Sequence, residues 1–297
     1  MSNPQTSGAP AHRMPFGRWF AEIGWRHVVG IIAFLFAIFP VLFVISASFN
    51  PLGTVASTGL IPTSFSLEHY TTLLSGAKGN FPRWYLNTVI VCVTVSLTQV
   101  FLSTLASYTF SRFRFKGRRA GMLSLLLIMM FPSVLSMIAI YTMLAGLGEV
   151  VPILGLDSLP GYILVMLGGS LGQVWLIKGF FDTVPKSLDE AATLDGATHW
   201  QLFTRILLPS LVPILATTVL ISLVGVMSDF LLGSLILTSD DNKTLAVGLY
   251  GMLYGDKSNN LGIFAAGSIM IMVPVILLYM FLQRYIVGGS TAGAVKG

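Results

Sequence analysis

The stretch LNTVIVCVTVSLTQVFLSTLASY, residues 86–108, followed by TFSRFRFKGRR, residues 109–119, decides the fold class. The first part carries no charged side chain and, at 1.5 Å of rise per residue, is long enough to cross a hydrocarbon core of about 30 Å as a helix. The second crowds Arg112, Arg114, Lys116, Arg118 and Arg119 into a short turn without an acid. An apolar span ending in a basic turn is the pattern of a membrane helix held against the cytoplasmic face.

Five more runs have the length and apolarity to span: 28–47, 122–144, 161–177, 207–228 and 263–282. The expected fold is therefore an all-α integral membrane protein with six transmembrane helices. Composition agrees, since 54% of the 297 residues are apolar and 10% are charged, against about 25% charged in a soluble domain. A net charge of +5 does not point to nucleic acid, because the basic residues sit in short segments between apolar runs. Thirteen of the 17 Lys and Arg fall on the side of the 109–119 turn and four (Lys78, Arg83, Lys243, Lys257) on the other. By the positive-inside rule both termini are cytoplasmic. The run 28–47 follows basic residues as a signal peptide does, but its length and Pro40 favour an uncleaved first span. Residues 1–25 read as a disordered cytoplasmic tail, 26–287 as the six-helix domain and 288–297 as a second cytoplasmic tail.

Pro40, Pro132, Pro213 and Pro274 fall within four spans, where they are expected to kink helices. Gly168 and Gly172 form a GxxxG step that permits close helix approach. Catalytic and metal chemistry find no residues: Cys92 is alone in an apolar run, and His12, His27, His69 and His199 are scattered without ligand spacing. There is no Gly-Lys phosphate loop, so ATP is not expected to bind here. Asp229, near the outer end of the fifth span, is the one acid at membrane depth and a candidate for a transport pathway.

The most informative connector is 181–209, far longer than a helix–helix link requires. Ser187-Leu188-Asp189-Glu190 reads as a capping box that starts a short helix, and Gly196 is placed to end it. Thr198-His199-Trp200-Gln201 repeats the capping signature before a second helix bearing Phe203, Ile206 and Leu207. Composition leaves two readings open: a projecting docking knob, or an amphipathic hairpin lying on the membrane surface.

Glu190-Ala191-Ala192, Gly196 four residues further on, and Ile206-x-Leu208-Pro209 match the EAA motif at every defined position. On these residues the chain is identified as a member of the bacterial ABC importer permeases (MetI-like), in the carbohydrate-uptake branch. Val134-Leu135-Ser136, Leu147-Gly148-Glu149, Pro152 and Gly155-Leu156 are similar to maltose/maltodextrin permeases, as is the ending 291–297. The resemblance covers nearly all of the chain after about Ile31.

The resemblance implies that 181–209 is a coupling helix seated in a cleft of a separate ATPase. The coupling residues would be Glu190, Ala191, Ala192, Asp195, Gly196, Phe203, Ile206, Leu208 and Pro209. It implies that the tail, through Thr291, Gly293 and Lys296, also reaches the ATPase. It further implies a second permease chain, two ATPase subunits carrying ATP and Mg, and an extracytoplasmic sugar-binding protein. The polar loops 49–85 and 240–261 are candidates to touch that binding protein. Maltose or maltodextrin is the expected cargo, with trehalose or another oligosaccharide as competitors. An ion-coupled secondary transporter is the reading from a different class, and it lacks the mid-span ionisable groups that mechanism needs.

Overall fold

The computed structural model describes residues 15–54, 57–62, 64–255 and 261–292. Among them every regular element is helical. The long elements are α1 (Gly17–Phe49), α3 (Phe81–Arg112), α4 (Arg118–Met130), α5 (Ser133–Val150) and α6 (Leu159–Phe181). The short α2 (Glu68–Leu74) lies between α1 and α3. Then follow α7 (Ser187–Leu194), α8 (His199–Ser210), α9 (Val212–Met227), α10 (Leu231–Ile236), α11 (Leu245–Gly255) and α12 (Leu261–Ala292). Among the described residues five helices are long and apolar enough to cross a bilayer, and the pair α8/α9, bent by 75°, passes the same test when taken together as one broken span, for six in all.

Three expectations change in detail. Disorder through residue 25 does not hold for 16–25, which are helical. Arg18 Nε lies 2.8 Å from Glu22 Oε1 one turn on, and Trp19, Phe20 and Trp25 suit the edge of a bilayer. Residues 1–14 lie outside the described residues. The third span is two helices, broken where Phe131 and Pro132 turn extended, because a residue before proline is driven out of the helical region. Pro40 and Pro274 stay inside their helices, while Pro213 sits in the first turn of α9, where no N–H is needed. At the other end of the chain α12 runs on to Ala292, so Thr291 is helical, whereas Gly293 and Lys296 lie outside the described residues.

Helix α3 is the centre of the bundle, packed against α6 and α9; α9 packs on α12, and α12 on α1. A polar ladder holds the centre together. Gln99, Ser103, Ser107 and Ser111 recur every fourth residue of α3 and so share one face. Gln99 Nε2 donates to the Met166 carbonyl, Ser103 Oγ to the Ser170 carbonyl (2.8 Å) and Ser107 Oγ to the Val174 carbonyl (2.9 Å). Ser111 Oγ donates to Asp182 Oδ1 at 2.6 Å. Gln99 Oε1 also accepts from Gln173 Nε2 (2.9 Å) and from Ser222 Oγ, which joins α9 to the same ladder. Away from water such bonds contribute on the order of 0.6 kcal/mol each.

Within this chain the GxxxG step makes no close helix approach. Gly168 faces open space and Gly172 meets only Met129 within this chain. The tight position is Gly169, where a Cβ would lie 2.6 Å from Gln99 Nε2. The missing side chain is what admits the glutamine to the α6 backbone.

At the end of the bundle remote from the basic turn, Asp157 organises the loops. It adopts a positive φ of 54°, and its Oδ1 accepts the N–H groups of Thr238 (2.8 Å) and Ser239 (2.9 Å). Burial works to raise the Asp157 pKa, but the hydrogen bonds from Ser239, Thr238 and Asn242 outweigh it and hold the carboxyl below the usual range. Asn87 donates to the carbonyls of Asp241 (2.8 Å) and Lys243 (2.9 Å), and Trp84 Nε1 to that of Asp240 (2.8 Å). From α2, which follows α1, His69 is buried with Nε2 2.8 Å from the Asn50 carbonyl, and Tyr70 donates to Ser48 Oγ. These side chains fold their own loops.

Candidate functional site

The site is the pair α7/α8 at the basic end of the bundle. Helix α7 ends as its residues require. Gly196 takes φ +80°, its N–H donates to the Thr193 carbonyl (3.1 Å), and that of Ala197 reaches back to the Ala192 carbonyl (2.9 Å). This crossed pair is a Schellman turn, and only a residue at ease in the left-handed region closes it without strain. The turn aims the chain into α8, whose start is the expected capping box. Thr198 Oγ1 accepts the Gln201 N–H, and the Gln201 side chain accepts the Thr198 N–H at 2.8 Å.

The first expected capping box does not form. Lys186 is the cap residue and makes no side-chain cap bond. Asp189 instead reaches across to α3: its Oδ2 lies 2.7 Å from Arg112 Nε, and Arg112 also donates to the Val184 carbonyl at 3.0 Å. The Arg112 side chain is only 7% exposed. The contact is an ion pair rather than an aligned hydrogen bond, and Asp189 Oδ1 is buried without a partner. Burial raises the Asp189 pKa above the ordinary carboxylate range, against the opposite pull of Arg112 and Lys186. Beside it, Asp182 is held low: burial alone would raise its pKa, but hydrogen bonds from Lys178 and Ser111 prevail.

Under the pair lies a shared apolar core of Tyr108, Ile177, Phe181, Ala192, Phe203 and Leu207. The knob is therefore fastened to the ends of α3 and α6 and runs directly into α9. Residues 202–207 wind as a π-helix, and the 75° bend at Leu211 follows. Wide turns of this kind occur at functional positions.

The predicted coupling residues divide into two sets. Ala192 and Phe203 are buried anchors, with Ile206 and Leu208 half-buried against the same core. Glu190, Ala191, Asp195, Gly196 and Pro209 are exposed. Two apolar residues not among those predicted stand out on the open face: Leu194 at 89% exposure and Trp200 at 63%. Their signal in sequence is slight, because a leucine or tryptophan in a short amphipathic helix reads equally well as core.

Asp229 lies at the far end of α9. Its Oδ2 accepts from Tyr162 Oη (2.7 Å) and from the Gly233 N–H (2.9 Å), which ties α6 to the start of α10. Next to it is a cavity of 460 Å³ whose lining includes Ser228, Phe230, Tyr250 and Ser268. No group of three or more His, Cys, Asp or Glu placed to hold a metal occurs among the described residues.

The chain is thus a helical membrane bundle with a two-helix knob fastened at its basic end. The family of binding-protein-dependent transport system inner membrane components matches residues 99–289, and the chain belongs to it. The maltose/maltodextrin transport system permease protein MalG of Vibrio vulnificus (strain YJ016) is 41% identical over 286 residues, covering 92% of this chain and 96% of that relative. MalG of Escherichia coli (strain K12) is 39% identical over 289 residues, covering 93% and 97%. Among solved structures, a bacterial ABC transporter involved in the import of the acidic polysaccharide alginate superposes with a TM-score of 0.73 at 23% identity. It covers 92% of this chain and 99% of that one, a likeness of fold.

Proposed function

We propose that this chain is one of two permease subunits of an ATP-driven importer of maltose or maltodextrin, and that α7/α8 is its coupling element to an ATPase. The observation that carries the proposal is the knob. It is rigidly fastened from below through Arg112–Asp189 and the Tyr108–Phe203 core, yet it presents Glu190, Ala191, Leu194, Asp195 and Trp200 outward. A lever needs both properties. The cargo rests on 41% identity to the maltose/maltodextrin permease over 92% of the chain.

In this reading the chain is not an enzyme. ATP and Mg are bound by two MalK-like ATPase subunits, and a MalF-like permease completes the pathway. An extracytoplasmic binding protein delivers the sugar. Both termini and the knob are cytoplasmic, following the placement of 13 of the 17 basic residues. Closure of the ATPase pair pushes the knob, and the bend at Leu211 passes that movement into α9 as alternating access. Asp229 borders the pathway by positioning α10 beside the 460 Å³ cavity. The segment 288–297, with Thr291, Gly293 and Lys296, adds a second contact to the ATPase.

Reconstitution tests this. The chain with its co-purifying permease and ATPase subunits should take up maltodextrin when ATP and binding protein are supplied; the chain alone should not. Leu194→Asp should insert normally but lower uptake at least tenfold. Uptake at the wild-type rate by that variant would overturn the coupling role. Uptake by the chain alone along an ion gradient would overturn the permease reading.

A further inference from the structure

Between the 112–119 turn and the basic end of α6 lies a wide-mouthed cavity of 810 Å³. Arg114, Phe115, Arg118, Arg119, Trp175 and Lys178 line it, and no acid does. Two of the four cations are already engaged. Arg118 donates to the carbonyls of Phe110 (2.6 Å) and Ser111 (3.4 Å), closing the end of α3, and Lys178 pairs with Asp182. Arg114 and Arg119 are exposed and pair with no acid among the described residues.

The rule that places basic loops inside accounts for charge in this turn, but it does not require a concave wall. The wall comes from span-borne residues, Trp175 of α6 and Met122 of α4, so the cavity sits where helices leave the hydrocarbon. Trp175 and Phe115 are both partly exposed there, at 38% and 43%. An indole and a phenyl ring beside unpaired guanidinium groups match a ligand with a phosphate at one end and an apolar stem at the other. The opening turn of α4, which begins after Gly117, adds the positive end of a helix to the same wall.

We propose that this cavity holds the phosphate headgroup of an anionic phospholipid. Arg114 and Arg119 would take the phosphate oxygens, with the rings of Trp175 and Phe115 against the start of the acyl chains. Arginine suits the role because its planar fork grips phosphate in two-point fashion and stays charged. The site adjoins the root of the knob. Arg118 caps the same last turn of α3 that supplies Arg112 to Asp189.

Native mass spectrometry of the delipidated full chain in detergent tests the assignment. The probes are phosphatidylglycerol and phosphatidylcholine with identical acyl chains. Wild type should retain phosphatidylglycerol about tenfold over phosphatidylcholine, since two cations near an anionic headgroup supply a preference of that order. The double variant R114Q/R119Q should lose the preference. Lys116→Gln, which removes a charge from the same turn outside the cavity lining, should keep it. Equal retention of the two lipids by wild type would overturn the proposal, as would an unchanged preference in R114Q/R119Q or an equal loss in Lys116→Gln. Displacement of phosphatidylglycerol by inorganic phosphate at about millimolar concentration would mark a free-anion site instead, and would overturn the lipid assignment.

Discussion

Gly196→Ala isolates the backbone contribution to the knob. An added Cβ at Gly196 would meet nothing within 4 Å, so no steric clash enters the result. The whole cost comes from φ +80°. An L-residue in the left-handed region costs about 1–2 kcal/mol, while alanine narrows the opened turn relative to glycine and so offsets ~0.4–1 kcal/mol of that cost. The strain outweighs this offset, and the difference favours local opening by about 0.8 kcal/mol, or roughly fourfold. The readout is hydrogen exchange of the amides at 196 and 197, which donate to the Thr193 and Ala192 carbonyls in the closed turn. Their protection should fall by that factor. Gly196→Asn should fall between, because asparagine visits the left-handed region more readily. Protection equal to wild type in the alanine variant would refute the reasoning, since it would mean that the turn does not depend on this conformation. An equal loss for Ala and Asn would refute it as well, by revealing a side-chain clash that the geometry denies.

Gln99→Leu removes three bonds from the centre of the bundle, to the Met166 carbonyl, Gln173 and Ser222. At ~0.6 kcal/mol for each interhelical bond the loss is about 2 kcal/mol, to be read as a lower midpoint in an SDS unfolding titration; an unmoved midpoint would remove the ladder from the account of stability. Asp157 is predicted to make the 237–244 loop sensitive to acid. Its folded pKa lies below its unfolded value, so its contribution is complete above about pH 4 and is lost as pH falls through the folded pKa. Protection factors at the Thr238 and Ser239 amides should therefore drop below that pH in wild type. In Asp157→Ala they should be low at every pH, and a persistent acid-dependent drop in that variant would assign the effect to another group.

Two kinds of signal were legible in the chain, and both are local. Lipid offers no partner for backbone N–H and C=O groups, so an uncharged run such as 86–108 has one way to cross, as a helix. The Thr198–Gln201 box and the Gly196 turn are equally local: each is closed by residues within a few positions. Ser187–Glu190 carried the same signature, but the helix begins one residue earlier, with Lys186 at the cap, and Asp189 within it is paired with the distant Arg112, which no window of a few residues contains. The third span shows a milder form of this. Pro132 was visible, but whether the helix kinks or breaks depends on what packs on either side.

By itself the sequence determined the helical class, the span count, the sidedness of its charge and the position of the α7/α8 turn. These follow from solvation and from conformational preference, which act residue by residue. Tertiary structure alone decided that Gln99, Ser103, Ser107 and Ser111 face α6, and that Gly169 rather than Gly168 or Gly172 admits the close contact. It also decided that Asp229 is bound to Tyr162, and that Leu194 and Trp200 point away from the bundle. Each of these depends on which face a helix turns to a neighbour distant in sequence. A polar or apolar side chain satisfies its own helix equally well in either direction, and only the arriving partner sets the preference.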